Sequence, residues 1–281
     1  MIFVLDNLDL TMNKLAVIIS VYKNDQLSAF QSCIYSLLKQ TYKDIDIWIQ
    51  FDGVVSPLIE SFLENLNDNR IYIRKRTQNK GLAYSLNELL QEILQIDYQY
   101  IARMDADDIC FPDRFEQQIT YMDKHLDIDI SGGYIEEMDE KENSIGIVKY
   151  PLIHSEMKDF FGKRNPLAHV STIFRKSFFN KAGLYPTNTN KDEDTMFWLK
   201  GFTTGCVFGN VDRPLVRVRV NDDFYKRRNG FKKSLSDFKN RCLIIRSLKL
   251  SYSNYFFAFA RFVIFIIPIP KLTQLAYKLL R

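Results

Sequence analysis

Residues 98–108 read YQYIARMDADD, an apolar strand that runs straight into three carboxylates, Asp105, Asp107 and Asp108. A short apolar run bounded by polar residues is the mark of a strand buried on both faces. The same kind of run recurs upstream at 14–21 (KLAVIISV), 45–51 (IDIWIQF) and 70–74 (RIYIR). Between these runs the apolar residues fall at helical spacing. Leu27, Phe30, Ile34, Leu37 and Leu38 form one such set, residues 58–66 a second, and Leu82, Leu86, Leu89, Leu90 and Ile93 within 81–94 a third. The order βαβαβαβ predicts an open α/β sheet whose first four strands are parallel. Sheets of that kind bind ligands in a crevice at the carboxyl ends of their strands. The informative loops therefore begin at Ser20, Asp52 and Asp105.

After residue 130 the pattern loosens. Strands are expected at 129–135, 145–149, 170–175 and 215–220, and helices at 154–161 and 194–203. These extend the same domain, so 281 residues hold one large α/β unit with an appended tail. Hydrophobic residues at 46% and charged residues at 26% exclude wholesale disorder. No GxGxxG follows the first strand, and no GxxxxGK[ST] occurs, so neither phosphate-binding fingerprint is present. Cys33, Cys110, Cys206 and Cys242 are scattered without a CxxC pair. They suggest neither a zinc site nor a disulfide framework, and reduced thiols in a cytoplasmic setting are expected. Residues 1–13 carry Asp6 and Asp9 and lack a basic start, so they read as an N-terminal extension and not a signal peptide.

Charge is unevenly spread. Residues 224–281 hold thirteen Lys and Arg against one acid, Asp237, a net of +12. The first 223 residues hold 25 basic and 33 acidic side chains, a net of −8. An acidic body with a basic tail implies an anionic partner for the tail. Phe231, Leu235, Phe238, Cys242, Ile245 and Leu248 recur at spacings of three and four, with Lys232, Lys239 and Arg246 off that stripe, which predicts a basic amphipathic helix. Residues 255–270 (YFFAFARFVIFIIPIP) are strongly apolar but interrupted by Arg261 and ended by prolines. They fall short of the roughly 20 residues of a membrane span. Flanking Lys249, Tyr252, Lys271, Tyr277 and Lys278 suit a helix lying in a membrane interface; a buried core helix is the other reading. Nucleic acid is disfavoured as a partner, because the body is acidic and the tail is more apolar than phosphate contacts require.

Three carboxylates in four residues repel one another unless a cation sits among them. Hard oxygen ligands suit Mg²⁺ or Mn²⁺, which leave coordination positions to water and substrate phosphates. A solvated turn, with Asp108 capping a helix that begins near Pro112, is the structural alternative.

The block from Arg103 to Asp108, followed by Pro112-Asp113-Arg114-Phe115-Glu116 and Gln118, resembles the inverting family 2 glycosyltransferases of the GT-A fold. The likeness is nearest to bacterial enzymes of capsule and O-antigen assembly, and it runs from about residue 14 to the C-terminus. Residues 18–22 (IISVY), Asp52-Gly53, the block from Asn79 to Ala83 with Leu86-Asn87, Asn165-Pro166, His169, Phe174-Arg175, Glu193-Asp194 with Trp198-Leu199, residues 217–220 and residues 225–228 follow the family's order. The resemblance implies a Rossmann-like mixed sheet flanked by helices, ending in C-terminal amphipathic helices. It divides the chain into a catalytic domain, 14–223, and a membrane-associating tail, 224–281. Within the domain, 14–108 would be the nucleotide-binding half and 109–223 the acceptor-side half.

The resemblance also implies roles. Asp107 would be the metal ligand, with Asp105 beside it contacting metal or nucleotide. Ser20, Tyr22, Asn79, Lys80 and Gly81 would line the nucleotide, and Asp52 would read the nucleobase edge. Asp194 would be the catalytic base, with Glu193 orienting it or touching the acceptor. Unaided by the family, Glu193 and Asp194 read as the acidic N-terminus of a helix, Lys80 as a surface lysine, His169 as a hydrogen-bonded structural residue, and Phe197, Trp198 and Phe202 as core. Arg227 and Arg228 suit either phosphate oxygens or a solvated loop. The sequence departs from the family at Phe51 and Val54, where an Asp and a Ser are usual, which loosens the expectation of a UDP donor. It lacks a Gln-x-x-Arg-Trp block, which implies transfer of one sugar per encounter.

The implied activity is transfer of one hexose or N-acetylhexosamine, with inversion, from a nucleotide-diphosphate sugar. The acceptor would be a polyprenyl-diphosphate-linked saccharide at the cytoplasmic face of the inner membrane. A metal-dependent nucleotidyltransferase is the competing enzyme, but residues 22–25 (YKND) offer no Gly-rich basic phosphate loop. An inactive membrane-bound module is a third reading, against which Asp105, Asp107 and Asp194 stand.

Overall fold

The computed structural model describes residues 14–189, 192–221 and 230–266. The N-terminal extension, Lys191, the 225–228 stretch with Arg227 and Arg228, and residues 267–281 of the tail lie outside the described residues.

The first half follows the sequence closely. It runs β1 (Leu15–Val21), α1 (Leu27–Leu38), β2 (Ile45–Asp52), α2 (Pro57–Leu66), β3 (Ile71–Arg76), α3 (Leu82–Ile93) and β4 (Tyr100–Asp105). The four strands are parallel in the order β3-β2-β1-β4. The apolar run of β1 is explained by burial on both faces; β2 and β4 are buried with Asp46, Gln50 and Arg103 among their apolar residues, and the edge strand β3 is only half-buried. Leu15, Val17, Ile19 and Val21 enter one core with Phe30, Ile34 and Leu37, while Ala16 and Ile18 enter the other with Leu86, Leu89 and Ile93. The chain winds from β1 outward to β3, then crosses back to place β4 on the far side of β1. Ser20 pairs with Asp105 in that register. The change of winding direction opens a crevice between the ends of β1 and β4, where such folds hold ligands.

The second half contains β5 (Ile109–Cys110), α4 (Arg114–Lys124), β6 (Ile130–Met138), β7 (Ser144–Val148), α5 (His154–Phe161), a 3-10 turn (His169–Ser171), β8 (Ile173–Arg175), α6 (Lys176–Ala182), α7 (Glu193–Thr203) and β9 (Phe208–Arg219). Among the described residues one sheet of nine strands results, in the order β3-β2-β1-β4-β8-β6-β9-β5, with β7 on β6. Antiparallel pairs of β8 with β4 and β6 make it mixed. The strand expected over 170–175 is shorter than the sequence suggests, because His169–Ser171 turns before Ile173 joins the sheet. The strand expected over 215–220 starts earlier, at Phe208. Pro214 disguises this start, since proline lacks the ladder donor, and the register with β6 shifts where Tyr134 meets Pro214.

Two further helices, α8 (Phe231–Ser247) and α9 (Ser253–Ile266), form a hairpin. The apolar stripe read from the sequence is divided between two neighbours. Ile245 and Leu248 are buried, whereas Phe238 meets Phe259 and Phe262 of α9 and Phe231 stays exposed. The side of α8 facing the body also carries Ser234 and Arg241, both buried. Among the described residues no helix is long and apolar enough to cross a membrane.

Candidate active site

A cavity of about 1680 Å³ opens at the carboxyl edge of β1, β2 and β4. It is lined by Ser20 and Tyr22 after β1, Asp52 after β2, Asn79, Lys80 and Gly81 before α3, Asp105 and Asp107 after β4, and Glu193 and Asp194 at the start of α7.

Asp52 is buried, and its carboxylate works inside the protein. It pairs with Arg76 and accepts the backbone N–H groups of Lys80 at 2.7 Å and Gly81 at 2.9 Å. Asn79 Nδ2 donates to the Asp52 carbonyl at 3.1 Å. The side chain expected to read a nucleobase edge thus already holds the 79–81 loop through both oxygens. Gly53 follows with φ of +86°, and a Cβ there would stand 2.9 Å from the Asn79 backbone nitrogen. Only glycine satisfies both the left-handed backbone and the close approach. The Lys80 side chain is exposed at the cavity rim.

Asp105 forms a two-pronged ion pair with Arg103, whose Nη1 lies 2.6 Å from Oδ2. Arg103 is buried within β4, so the charge beneath Asp105 comes from its own strand. The Arg114 and Gln118 block supports this segment from below. Arg114 is fully buried and donates to the carbonyls of Arg103 at 3.0 Å and Thr172 at 3.3 Å; Gln118 reaches the Ser171 carbonyl at 2.9 Å. Asp108 does not cap a helix. It is buried and accepts the Arg219 N–H at 2.8 Å, while α4 begins after Asp113 without a side-chain cap.

The negative charge here is incompletely balanced. Burial first, then the Asp105 carboxylate, raises the Asp107 carboxyl above its ordinary value. Burial, Asp107 and Asp105 push Asp108 well above it. Asp25 belongs to the same cluster. It caps the turn after β1 by accepting the Tyr22 N–H at 2.8 Å. Burial pushes its carboxyl up to about 7, with Asp107 and Asp105 adding to the rise against the opposing Tyr22 hydrogen bond. The sequence offered a signal for Asp25, a carboxylate just beyond the first strand, but no motif to single it out.

These carboxylates suit a hard divalent cation. No described Lys, Arg or His forms a salt bridge with Asp107. Among the described residues no three His, Cys, Asp or Glu side chains group as metal ligands. An ion here would therefore complete its shell with phosphate oxygens and water, as Mg²⁺ and Mn²⁺ commonly do.

Glu193 and Asp194 form the first turn of α7 and do make it acidic. Asp194 Oδ1 accepts the Thr195 N–H at 2.6 Å, and Oδ2 accepts Asn165 Nδ2 at 3.0 Å. Burial raises the Glu193 carboxyl, and Asp194 adds to the rise. Asp192, one residue before the helix, is held by α8 through Lys233, Ser236 Oγ at 3.1 Å and Asn240 Nδ2 at 3.1 Å. His169 faces Tyr185, Nε2 to hydroxyl at 3.0 Å. Burial, with Arg103 nearby, lowers its imidazole well below the ordinary value and keeps it neutral. Asn87 fixes Tyr185 through both its backbone N–H and carbonyl, each at 2.9 Å. Phe197 and Trp198 are fully buried in the second core, and Phe202 stacks on Phe208 at 3.9 Å, so these rings are packing residues.

Residues 16–183 match the family model "Glycosyl transferase family 2". The chain belongs to glycosyl transferase family 2. It is 32% identical over 219 residues to the amylovoran biosynthesis glycosyltransferase AmsE of Erwinia amylovora, covering 77% of this chain and 80% of AmsE. It is 28% identical over 246 residues to the Escherichia coli UDP-Gal:alpha-D-GlcNAc-diphosphoundecaprenol beta-1,3-galactosyltransferase, covering 86% and 87%. Among solved structures, S. aureus TarS residues 1–349 in complex with UDP superpose with a TM-score of 0.60 at 15% identity, covering 89% of this chain and 71% of that one. Against the larger TarS chain the coverage is 43%. This likeness establishes the fold, the mixed GT-A sheet flanked by helices. A family 2 glycosyltransferase is not a nucleotidyltransferase, and that alternative falls. The family match ends at residue 183, so in this family 2 enzyme Asp194 and the α8–α9 hairpin stand outside it.

Proposed function

We propose that the protein transfers a single hexose or N-acetylhexosamine from a nucleotide-diphosphate sugar, UDP-linked in the favoured form, to a polyprenyl-diphosphate-linked saccharide, with inversion, in bacterial surface polysaccharide synthesis. The observation that carries this reading is one cavity lined by both the Asp105–Asp107 carboxylates and the Glu193–Asp194 pair. Asp194 takes the proton of the acceptor hydroxyl on Oδ2, whose orientation Asn165 fixes. The freed oxygen attacks the anomeric carbon from the face opposite the diphosphate. The bond from that carbon to the phosphate oxygen breaks, and the nucleoside diphosphate leaves with the electron pair. Asp107, with Asp105, would hold Mn²⁺ or Mg²⁺, which as a Lewis acid would stabilise the charge growing on the leaving phosphate. Ser20, Tyr22, Asn79, Lys80 and Gly81 surround the donor, and Asp52 acts by keeping the 79–81 loop in place.

The test supplies purified protein with Mn²⁺, a panel of UDP-, GDP-, CDP- and dTDP-sugars and a polyprenyl-diphosphate-linked saccharide. One donor should yield an acceptor heavier by one sugar, with the anomeric configuration opposite to the donor's by NMR. A retained configuration, or free sugar as the sole product with every donor, would overturn the reading.

The E. coli relative's name specifies an undecaprenol-linked acceptor, and the hairpin suits work at such a lipid. Tyr252 is 88% exposed and Phe256 71%, and Phe256, Phe259 and Val263 recur along one exposed side of α9. Lys232, Lys239, Arg246 and Lys249 are exposed on α8 and the adjoining turn. Apolar residues to insert and cations to meet anionic headgroups favour peripheral docking on the cytoplasmic leaflet, each cation contributing roughly 1 kcal/mol. Replacing Phe256, Phe259 and Val263 together by Ser should lower co-sedimentation with phosphatidylglycerol-containing vesicles about tenfold or more while leaving the circular dichroism spectrum unchanged. Unaltered sedimentation of the triple variant would remove the hairpin from the docking surface.

A further inference from the structure

The α8 helix sends one cation into the protein instead of toward solvent. Arg241 is buried, with Nη1 donating to the Phe161 carbonyl at 2.8 Å and Nη2 to Asn165 Oδ1 at 2.8 Å. The other end of the Asn165 amide faces α7. Its Nδ2 donates to Asp194 Oδ2 at 3.0 Å and to Thr195 Oγ1 at 2.9 Å. We propose that Arg241 is a positioning residue for Asp194, acting through Asn165, so that docking of the C-terminal hairpin on the body sets the geometry of the catalytic carboxylate.

The argument is one of donor and acceptor direction. A side-chain amide has one accepting end and one donating end. Arg241 carries only donors, so it can face only the Asn165 oxygen. That leaves the NH₂ group aimed at Asp194, a carboxylate that can only accept when ionised. A reversed amide would set donor against donor at Arg241 and acceptor against acceptor at Asp194. The guanidinium thus selects the amide orientation, and the amide fixes Oδ2, while the Thr195 N–H fixes Oδ1. The Thr195 hydroxyl closes the network onto Asn165 Oδ1 at 3.2 Å. Precise placement of a proton acceptor matters because proton transfer requires hydrogen-bond reach to the attacking hydroxyl. This inference rests on Asp194 being the base.

The test uses the full chain and compares Asn165→Ala, Arg241→Met, Arg241→Lys and the Asn165→Ala/Arg241→Met double variant. Arg241→Met should lower kcat about tenfold with the donor KM and the dissociation constant for free nucleoside diphosphate unchanged. Arg241→Lys keeps a donor for Asn165 and should recover most of that loss. The double variant should be no slower than Asn165→Ala alone, because the two residues act in series. Wild-type kcat in Arg241→Met, or losses that multiply in the double variant, would overturn the proposal. Should Arg241→Met fail to fold by thermal unfolding, Asn165→Asp decides, since it retains the acceptor for Arg241 but has no donor for Asp194. Unchanged kcat in that variant would also refute the relay. Asp194→Asn separates the two ideas: full activity there defeats the base assignment itself, whereas an inactive Asp194→Asn beside an active Arg241→Met defeats the relay alone.

Discussion

Asp194→Asn should lower turnover about 10³-fold and leave donor affinity unchanged. The size follows from the general-base contribution, typically 10²–10⁴ in rate and about 4 kcal/mol at the middle of that range. The substitution is nearly isosteric. The amide oxygen can still accept the Thr195 N–H, as Oδ1 does at 2.6 Å, and the one contact given up is that of Asn165 Nδ2 with Oδ2 at 3.0 Å, which an NH₂ group cannot accept. Packing of α7 should therefore survive, and what is lost besides that one hydrogen bond is the capacity to take a proton from the acceptor. Steady-state kcat with saturating donor and acceptor, beside calorimetric titration of the nucleoside diphosphate, separates the two effects. A variant that turns over near the wild-type rate shows that another group removes the proton, and Glu193 would be the next to examine.

The second large effect lies at the other end of the reaction. Asp107→Asn should lower kcat by about 10²–10³, the usual cost of removing one group that stabilises charge in the transition state. It should also weaken the dependence of donor binding on Mn²⁺. Folding should not suffer, and melting temperature in the absence of metal should hold or rise. The reason is electrostatic: Asp107 is one of the charges that push Asp25 and Asp108 upward, and Asp105 in turn pushes Asp107. Removing one of the mutually repelling charges relieves the rest. The decisive comparison is activity of the wild-type protein in excess EDTA. Undiminished transfer there would eliminate a metal from the mechanism, and an Asp107→Asn variant as active as the wild type would remove Asp107 as its essential ligand.

The sequence revealed some parts of this site and concealed others, for identifiable physical reasons. Strand β1 was visible because burial on both faces keeps its run apolar, Leu15 and Ala16 going to different cores; β2 and β4 stayed legible because apolar residues flank Asp46, Gln50 and Arg103. Asp107 and Asp194 were visible because carboxylates at a strand end and at a helix start, taken in the family's order, point to specific work. Arg103 was hidden. A lone cation inside an apolar strand carries no sign that it will turn to meet Asp105 two residues later. Arg241 was hidden more deeply, since hydrophobic periodicity places cations on the outer face of a helix and this one faces inward. The start of β9 escaped notice because Asp212-Arg213-Pro214 reads as a turn, and the structure absorbs it as a register shift within the strand. The internal work of Asp52 was hidden. Position follows from the strand end, but the partners of its oxygens arrive from Arg76, Lys80 and Gly81, which only the folded chain brings together.

The tight approach of Gly53 to Asn79, together with the Asp52 anchor, makes the loops after β2 and before α3 a single interlocked piece. Exchanging sugar-nucleotide preference between homologues by transplanting one loop would bring a mismatched counterpart against the other. Chimeras should move residues 52–54 and 76–81 as one cassette, and libraries that vary either segment should co-vary the second.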